Sequence, residues 1–293
     1  MTQHADTDAS PRDLIFAAFQ RILPTRFLSW CIYRLTRIES PGFKNALIKY
    51  FLRGFTIDMT QAQVSDPYAY KSFNEFFTRP LKDGARQLAP EPAFVSPVDG
   101  TVSRIGRIES GRLIQAKGHN YSATDLIGGG MDDVVPLLGG NYCTIYLAPY
   151  NYHRIHMPVA GALRWWRYVP GRLFSVNPST ARALPGLFTR NERVIAMFDT
   201  ERGPLAMVLV GALFVGGIET VWSGAVTPPH MRYEDKGSYM PLPKNGVRLA
   251  RGQEMGRFNM GSTVILLTGQ RSVNWATAVQ AGSEVRMGQE LGR

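Results

Sequence analysis

The chain changes its hydrophobic pattern along its length. From Leu14 to Thr56 apolar residues recur at three- and four-residue intervals. Leu14, Ile15, Ala18, Phe19 and Ile22 stand upstream of Pro24, and Phe43, Leu47 and Phe51 run beside a polar row of Asn45, Lys49 and Arg53. That spacing puts each set on one face of a helix. Pro24 and Pro41-Gly42 interrupt the stretch, so two or three short amphipathic helices are predicted. From about Ser96 the texture turns β-like, with runs at Thr101 to Ile105, Tyr142 to Leu147, Val194 to Phe198, Ala206 to Val215 and Thr263 to Leu267. Gly and Pro separate these runs, which predicts a sandwich or a barrel-like body. The expected class is α+β, a β-rich body preceded by short amphipathic helices.

No repeat of fixed period and no low-complexity linker divides the chain further. Residues 1–13 are polar and expected to form a disordered tail, 14–60 the helices, and 61–293 one catalytic domain. Of the 293 residues, 44% are hydrophobic, enough for a substantial core. The longest uncharged stretch, about Gly203 to Ile218, is Gly-rich and short of the roughly 20 apolar residues that span a bilayer, so it reads as buried strands. Nothing near Met1 has the form of a secretory signal, and the mature protein is expected to begin there.

Charge changes the reading of the helices. Lys and Arg outnumber Asp and Glu by 33 to 23, and within Leu14 to Thr56 seven basic residues stand against Glu39 alone. An anionic partner is implied. Periodicity allows these helices either to pack on the protein's own core or to lie at a membrane surface. Phe27, Trp30 and Tyr33 among arginines favour the interface. Nucleic acid would satisfy the charge, but no basic recognition helix or aromatic RNA motif accompanies it. Cys31 and Cys143 are far apart and lack ligand spacing, so neither a disulfide framework nor a zinc site is indicated and a reducing compartment fits.

Three segments place reactive groups among turn-forming residues. Asp99 lies in Ser96-Pro97-Val98-Asp99-Gly100, where it could simply cap a turn. His153 and His156, two of the five histidines, lie three residues apart between Pro149 and Pro158. Structural pairing, metal ligation and acid-base work are all open to them, although no third ligand stands nearby. Met260-Gly261-Ser262-Thr263 precedes a strand-like run. An aspartate, a histidine and a serine can together activate a hydroxyl, and Asp99, His156 and Ser262 supply those parts. No G-x-S-x-G elbow surrounds Ser262, which weighs against a soluble serine hydrolase. A lipoyl- or biotinyl-type carrier would need a modifiable lysine, for which Lys117 is the near candidate.

Taken together these segments resemble the phosphatidylserine decarboxylase family, whose proenzymes cut themselves at Leu-Gly-Ser-Thr. Here the motif begins with Met260, similar to Leu in volume and apolarity. The resemblance also covers Ser72-Phe73-Asn74-Glu75-Phe76-Phe77-Thr78-Arg79-Pro80-Leu81, Gln115-Ala116-Lys117-Gly118, Leu173-Phe174-Ser175-Val176-Asn177 and Phe188-Thr189-Arg190-Asn191-Glu192-Arg193. It reaches from about residue 70 to the end of the β body, while the N-terminal helices match only in character.

The resemblance implies that Ser262 is the nucleophile of self-cleavage, Asp99 and His156 its relay, and His153 the acid or base of decarboxylation. Attack of the Ser262 hydroxyl on the Gly261 carbonyl would convert the peptide bond to an ester. β-Elimination would then release a chain ending at Gly261, and the dehydroalanine at 262 would hydrolyse to a pyruvoyl group with loss of ammonia. That group would form a Schiff base with phosphatidylserine and accept the electrons left by CO2, with no metal and no separate cofactor. The further implications are a heterodimer of the two cleavage products, which could pair again, no nucleic-acid partner, and a peripheral place on the cytoplasmic face of an anionic membrane.

Overall fold

The computed structural model describes residues 8–214, 216–226 and 239–293. Three helices open the chain: α1 (Pro11–Ile22), α2 (Thr25–Thr36) and α3 (Pro41–Gly54). The breaks fall where Pro24 and Pro41 put them. Helix α1 begins at Pro11, within the stretch expected to be a tail, because Ser10 and Asp13 form a capping box that satisfies two N-terminal amides. The rest of that expectation, residues 1–7, lies outside the described residues.

The first two helices are apolar on the side away from the protein. Helix α1 buries Asp13, Ala17 and Gln20, and α2 buries Thr25, Ser29 and Thr36. Ile15, Phe19, Ile22 and Phe27 remain 70%, 54%, 80% and 61% exposed. Helix α3 differs: Ile48 is buried, Leu47 and Phe51 pack on an aromatic cluster, and Phe43 and Tyr50 face outward. Lys44, one of the seven basic residues counted from Leu14 to Thr56, is buried and donates to the Tyr68 carbonyl at 2.7 Å.

An eight-stranded antiparallel sheet forms the body. Its strands in chain order are β1 (Gly100–Arg107), β2 (Asn141–Leu147), β3 (Gly161–Val169), β4 (Arg193–Thr200), β5 (Gly203–Val210), β6 (Arg248–Leu249), β7 (Ser262–Thr268) and β8 (Glu284–Val285). They lie side by side as β6-β3-β4-β5-β7-β2-β1-β8. The sheet is open at both edges, so the sandwich-like architecture applies and not a closed barrel. The strand expected to run from Ala206 to Val215 ends at Val210, and Val215 lies outside the described residues.

Both faces of the sheet are covered, which is why its central strands read as near-continuous apolar runs. Every residue of β7 is buried. Val264 and Leu266 point into a core shared with Ile155, Met255 and Phe258 of a second, four-stranded sheet. Ile265 and Leu267 point the other way, into a core closed by Leu126, Val134, Leu187 and Phe188 from short helices. Alternation along one strand thus feeds two cores. A third cluster, Ile48, Tyr70, Phe73, Phe76 and Phe77, joins α3 to the short helix α4 (Phe73–Phe77), and Met260 packs against it.

Candidate active site

The Gly261-Ser262 bond lies at the entrance to β7. Ser262 pairs with Leu147 across the ladder, and Thr263 is held between Tyr146 and Val210. The Ser262 side chain is fully buried, and its Oγ has no hydrogen-bond partner among the described residues. A buried hydroxyl left unpaired costs free energy, and such exceptions mark places where a group is kept for another purpose.

His153 stands beside this bond. It follows the turn after β2, where the Asn151 side chain accepts from the Ala148 amide at 2.7 Å and the His153 carbonyl accepts from Phe258 at 3.0 Å. Its Nε2 lies 3.8 Å from where a Cβ on Gly261 would stand. Nδ1 is 2.8 Å from the Asn151 carbonyl, an acceptor, so the proton sits on Nδ1 and Nε2 presents a bare lone pair. That nitrogen is buried without a partner among the described residues. Burial, reinforced by the charge of Arg79, holds the ring down to about 3, so it is neutral at physiological pH. The ring of Phe77 covers it at 4.3 Å.

Asp99 and His156 are adjacent segments without a direct bond between their side chains. The Pro97 carbonyl accepts from the His156 amide at 2.9 Å. Asp99 instead receives Arg86 on both oxygens, at 3.0 and 2.5 Å, and the Met287 amide at 2.8 Å. His156 donates from Nδ1 to the Gly252 carbonyl at 2.8 Å and accepts at Nε2 from the Tyr152 hydroxyl at 3.1 Å. Burial lowers its basicity, and the charges of Glu254 and Asp99 act in the opposite direction. Gly100 is needed for close approach: a Cβ there would stand 2.5 Å from the Tyr146 carbonyl oxygen. The structure therefore brings His153 and Gly261 together, and it does not join Asp99, His156 and Ser262 by hydrogen bonds.

A pocket of about 150 Å³ opens at Gly261, walled by Met260, Phe77, Tyr146 and two loops, Ser175 to Asn177 and Ala212 to Phe214. Buried Asn191 ties these loops together, bonding to both backbone groups of Phe174 and to the Gly211 carbonyl. Gln115 holds the neighbouring segment through Ala181, Leu184 and Leu187. The segments known from sequence only as points of resemblance are thus the frame of this pocket. Phe77, Arg86, Tyr152 and Asn151 escaped the residue-by-residue reading. Phe77 had a signal in its aromatic neighbours within the Ser72 to Leu81 segment, and Asn151 and Tyr152 lay inside the Pro149 to Pro158 segment, whereas Arg86 had none. Among the described residues no cluster of three or more His, Cys, Asp or Glu side chains could hold a metal, and no helix is long and apolar enough to cross a membrane.

Comparison with known proteins identifies the family. The family model described as phosphatidylserine decarboxylase matches residues 73–293, and a second model, described as PSD, matches residues 15–56. A protein of Pseudomonas fluorescens is 52% identical over 279 residues, covering 95% of this chain and 96% of its own length. Proteins of Stutzerimonas stutzeri and Bordetella pertussis are each 50% identical, covering 96% of this chain and 95% and 94% of their own. All three are named phosphatidylserine decarboxylase proenzyme. On a match of this extent the chain belongs to the phosphatidylserine decarboxylase family, and it is a decarboxylase.

Proposed function

We propose that this chain converts phosphatidylserine to phosphatidylethanolamine and CO2, using a pyruvoyl group that it makes from Ser262 by cutting its own Gly261-Ser262 bond. The observation that carries the reading is the unpaired, buried Ser262 hydroxyl next to the bond that a bare imidazole nitrogen of His153 also faces. A dry, enclosed site favours an internal nucleophile over water. Ser262 Oγ attacks the Gly261 carbonyl carbon, the C–N bond breaks, and the departing nitrogen takes the proton. Asp99 and His156 are assigned to draw off that proton at the outset. Asp99 supports His156 through its charge, and the bond from Tyr152 to His156 Nε2 must open for that nitrogen to take the Ser262 proton.

Once formed, a pyruvoyl group at position 262 supplies the carbonyl that acts as electron sink for loss of CO2. The pocket at Gly261 takes the serine headgroup, and its loops and the Phe77 ring keep water away. His153, neutral and unpaired at Nε2, takes a proton from the substrate ammonium group as the amine reacts and returns it to the carbon that loses CO2.

Cleavage would leave chains 1–261 and 262–293 locked together. Strand β7 is hydrogen-bonded between β2 and β5, β8 pairs with β1, and Glu290–Gly292 pairs with Phe94–Val95. The product is a heterodimer whose halves separate only on denaturation. Helices 14–60 seat it on the cytoplasmic face of an anionic membrane. In α1 and α2, polar inner faces and apolar outer faces are the reverse of a helix packed on its own core, and basic residues such as Arg34 of α2 and Lys49 and Arg53 of α3 are exposed on the same helical segment.

The test is the denatured mass of the purified protein beside its Ser262→Ala variant. Two chains split at 261/262, the smaller blocked by pyruvoyl, together with an uncut variant, is the expected result. A single intact and active wild-type chain overturns the mechanism and leaves the serine hydrolase. Asp99→Asn and His156→Ala should remain uncut, whereas His153→Ala should be cut and inactive. The opposite pattern would transfer the base of self-cleavage to His153.

A further inference from the structure

The pocket at Gly261 is held from outside by the two membrane-facing helices. Gln20 of α1 accepts from the Ser175 amide at 2.7 Å and donates to the Thr180 hydroxyl at 3.0 Å. Ser29 of α2 accepts from the Phe214 amide at 3.2 Å. These two polar side chains are 1% and 0% exposed, and each reaches one of the two loops that wall the pocket. Phe214 has φ of +67°, a conformation that a bulky residue adopts only where its surroundings impose it. An ion pair between Asp13 and Arg182 at 3.1 Å and a bond from Arg26 to the Gly171 carbonyl at 2.9 Å brace the same helices against the same side of the body.

A buried amide and a buried hydroxyl on the underside of amphipathic helices add nothing to lipid binding, and their partners are backbone groups of the pocket walls. We propose that Gln20 and Ser29 are positioning residues for decarboxylation: they transmit the seating of α1 and α2 on lipid to the shape of the pocket at Gly261. The inference rests on the membrane-docked decarboxylase reading above. It adds that the helices shape the site as well as bring it to the bilayer. Helices seated on lipid hold the Ser175 to Asn177 and Ala212 to Phe214 loops in register, and loosened helices release both.

Three variants of the full chain separate this from a role in folding or in anchoring. Gln20→Leu keeps the bulk and removes both bonds. Gln20→Glu keeps the acceptor for Ser175 and can accept from Thr180. Ser29→Ala removes one oxygen and decides the matter should Gln20→Leu fail to fold. Chain masses report self-cleavage, sedimentation with vesicles of phosphatidylcholine, phosphatidylglycerol and phosphatidylserine reports docking, and kcat and KM are measured on the same vesicles. Complete cleavage, unchanged docking and a fall in kcat/KM of about three- to tenfold are expected for Gln20→Leu and Ser29→Ala, with recovery in Gln20→Glu. The proposal is overturned by wild-type kcat/KM in both, by a loss that merely tracks docking or cleavage, or by Gln20→Glu as slow as Gln20→Leu. A wild type that neither cuts itself nor releases CO2 from these vesicles would instead defeat the function proposed above.

Discussion

Strand β7 and helix α1 use apolar residues in opposite ways. In β7, Val264, Ile265, Leu266 and Leu267 are fully buried in two cores. In α1, Ile15, Phe19 and Ile22 face outward, while Asp13 and Gln20 face the protein. Each strand residue stabilises the fold by leaving water when the chain folds. The helix residues leave water only when something apolar arrives from outside, so their contribution belongs to binding. An apolar sequence pattern therefore has two meanings in one chain, and burial tells them apart.

The comparison breaks most visibly at its core end. Leu266→Ala is expected to lower folding stability by about 2–5 kcal/mol, read as a drop in the denaturant midpoint at unchanged slope. A loss as small as that of a surface substitution would mean that β7 is not the packed centre of the fold. Ile22→Ser, a comparable deletion of apolar surface, should leave the melting temperature nearly unchanged and weaken binding to anionic vesicles by about 2 kcal/mol, roughly 30-fold. A destabilised but fully docking Ile22→Ser protein would place that face on the protein itself.

The next effect belongs to His153. Its folded pKa, about 3, lies below the value of 6.5 in the unfolded chain, so between these values the unfolded state binds the extra proton. This group's contribution is present above pH 6.5 and is lost as pH falls towards 3, at about 1.4 kcal/mol per pH unit across that window. Stability measured against pH should therefore be less steep in His153→Asn than in the wild type over that range; equal slopes would show that the ring is not the buried neutral base described. The smallest effect is electrostatic. Removing the exposed charge of Lys49 or Arg53 should weaken vesicle binding by about 1 kcal/mol each at low salt, and the difference should shrink as ionic strength rises. Salt-independent losses would point to packing.

Much of the architecture was readable from local chemistry. Pro24 caps the start of α2 and Pro41 opens α3, because proline lacks the amide that an interior turn needs and a first turn does not, and the apolar runs around Tyr142, Val194 and Thr263 became β2, β4 and β7. The start of α1 was misplaced because Ser10 and Asp13 read as polar tail until their mutual capping is seen. Charge counting placed Lys44 among the seven basic residues of the helical stretch, yet that side chain is buried on the Tyr68 carbonyl, a partner 24 residues away.

The candidate site divides in the same manner. Residue types and motifs were enough to single out Asp99, His153, His156, Gly261 and Ser262, because reactive groups set among glycines and prolines carry a signal within a few residues. Their mutual geometry was not legible. Which histidine faces Gly261 depends on the turn after β2, on the Asn151 carbonyl and on the Phe77 ring, brought from 76 positions away. Local sequence was sufficient for the element types, the α+β class, a set of candidate residues and, through ordered motifs along most of the chain, the family. Long-range packing set the rest: α1 turns its polar side inward, Asp99 is taken up by Arg86 and Met287, and Gln20 and Ser29 reach the pocket walls. Those outcomes are set by contacts between residues distant in the chain, and periodicity reports which residues share a face without saying what that face will meet.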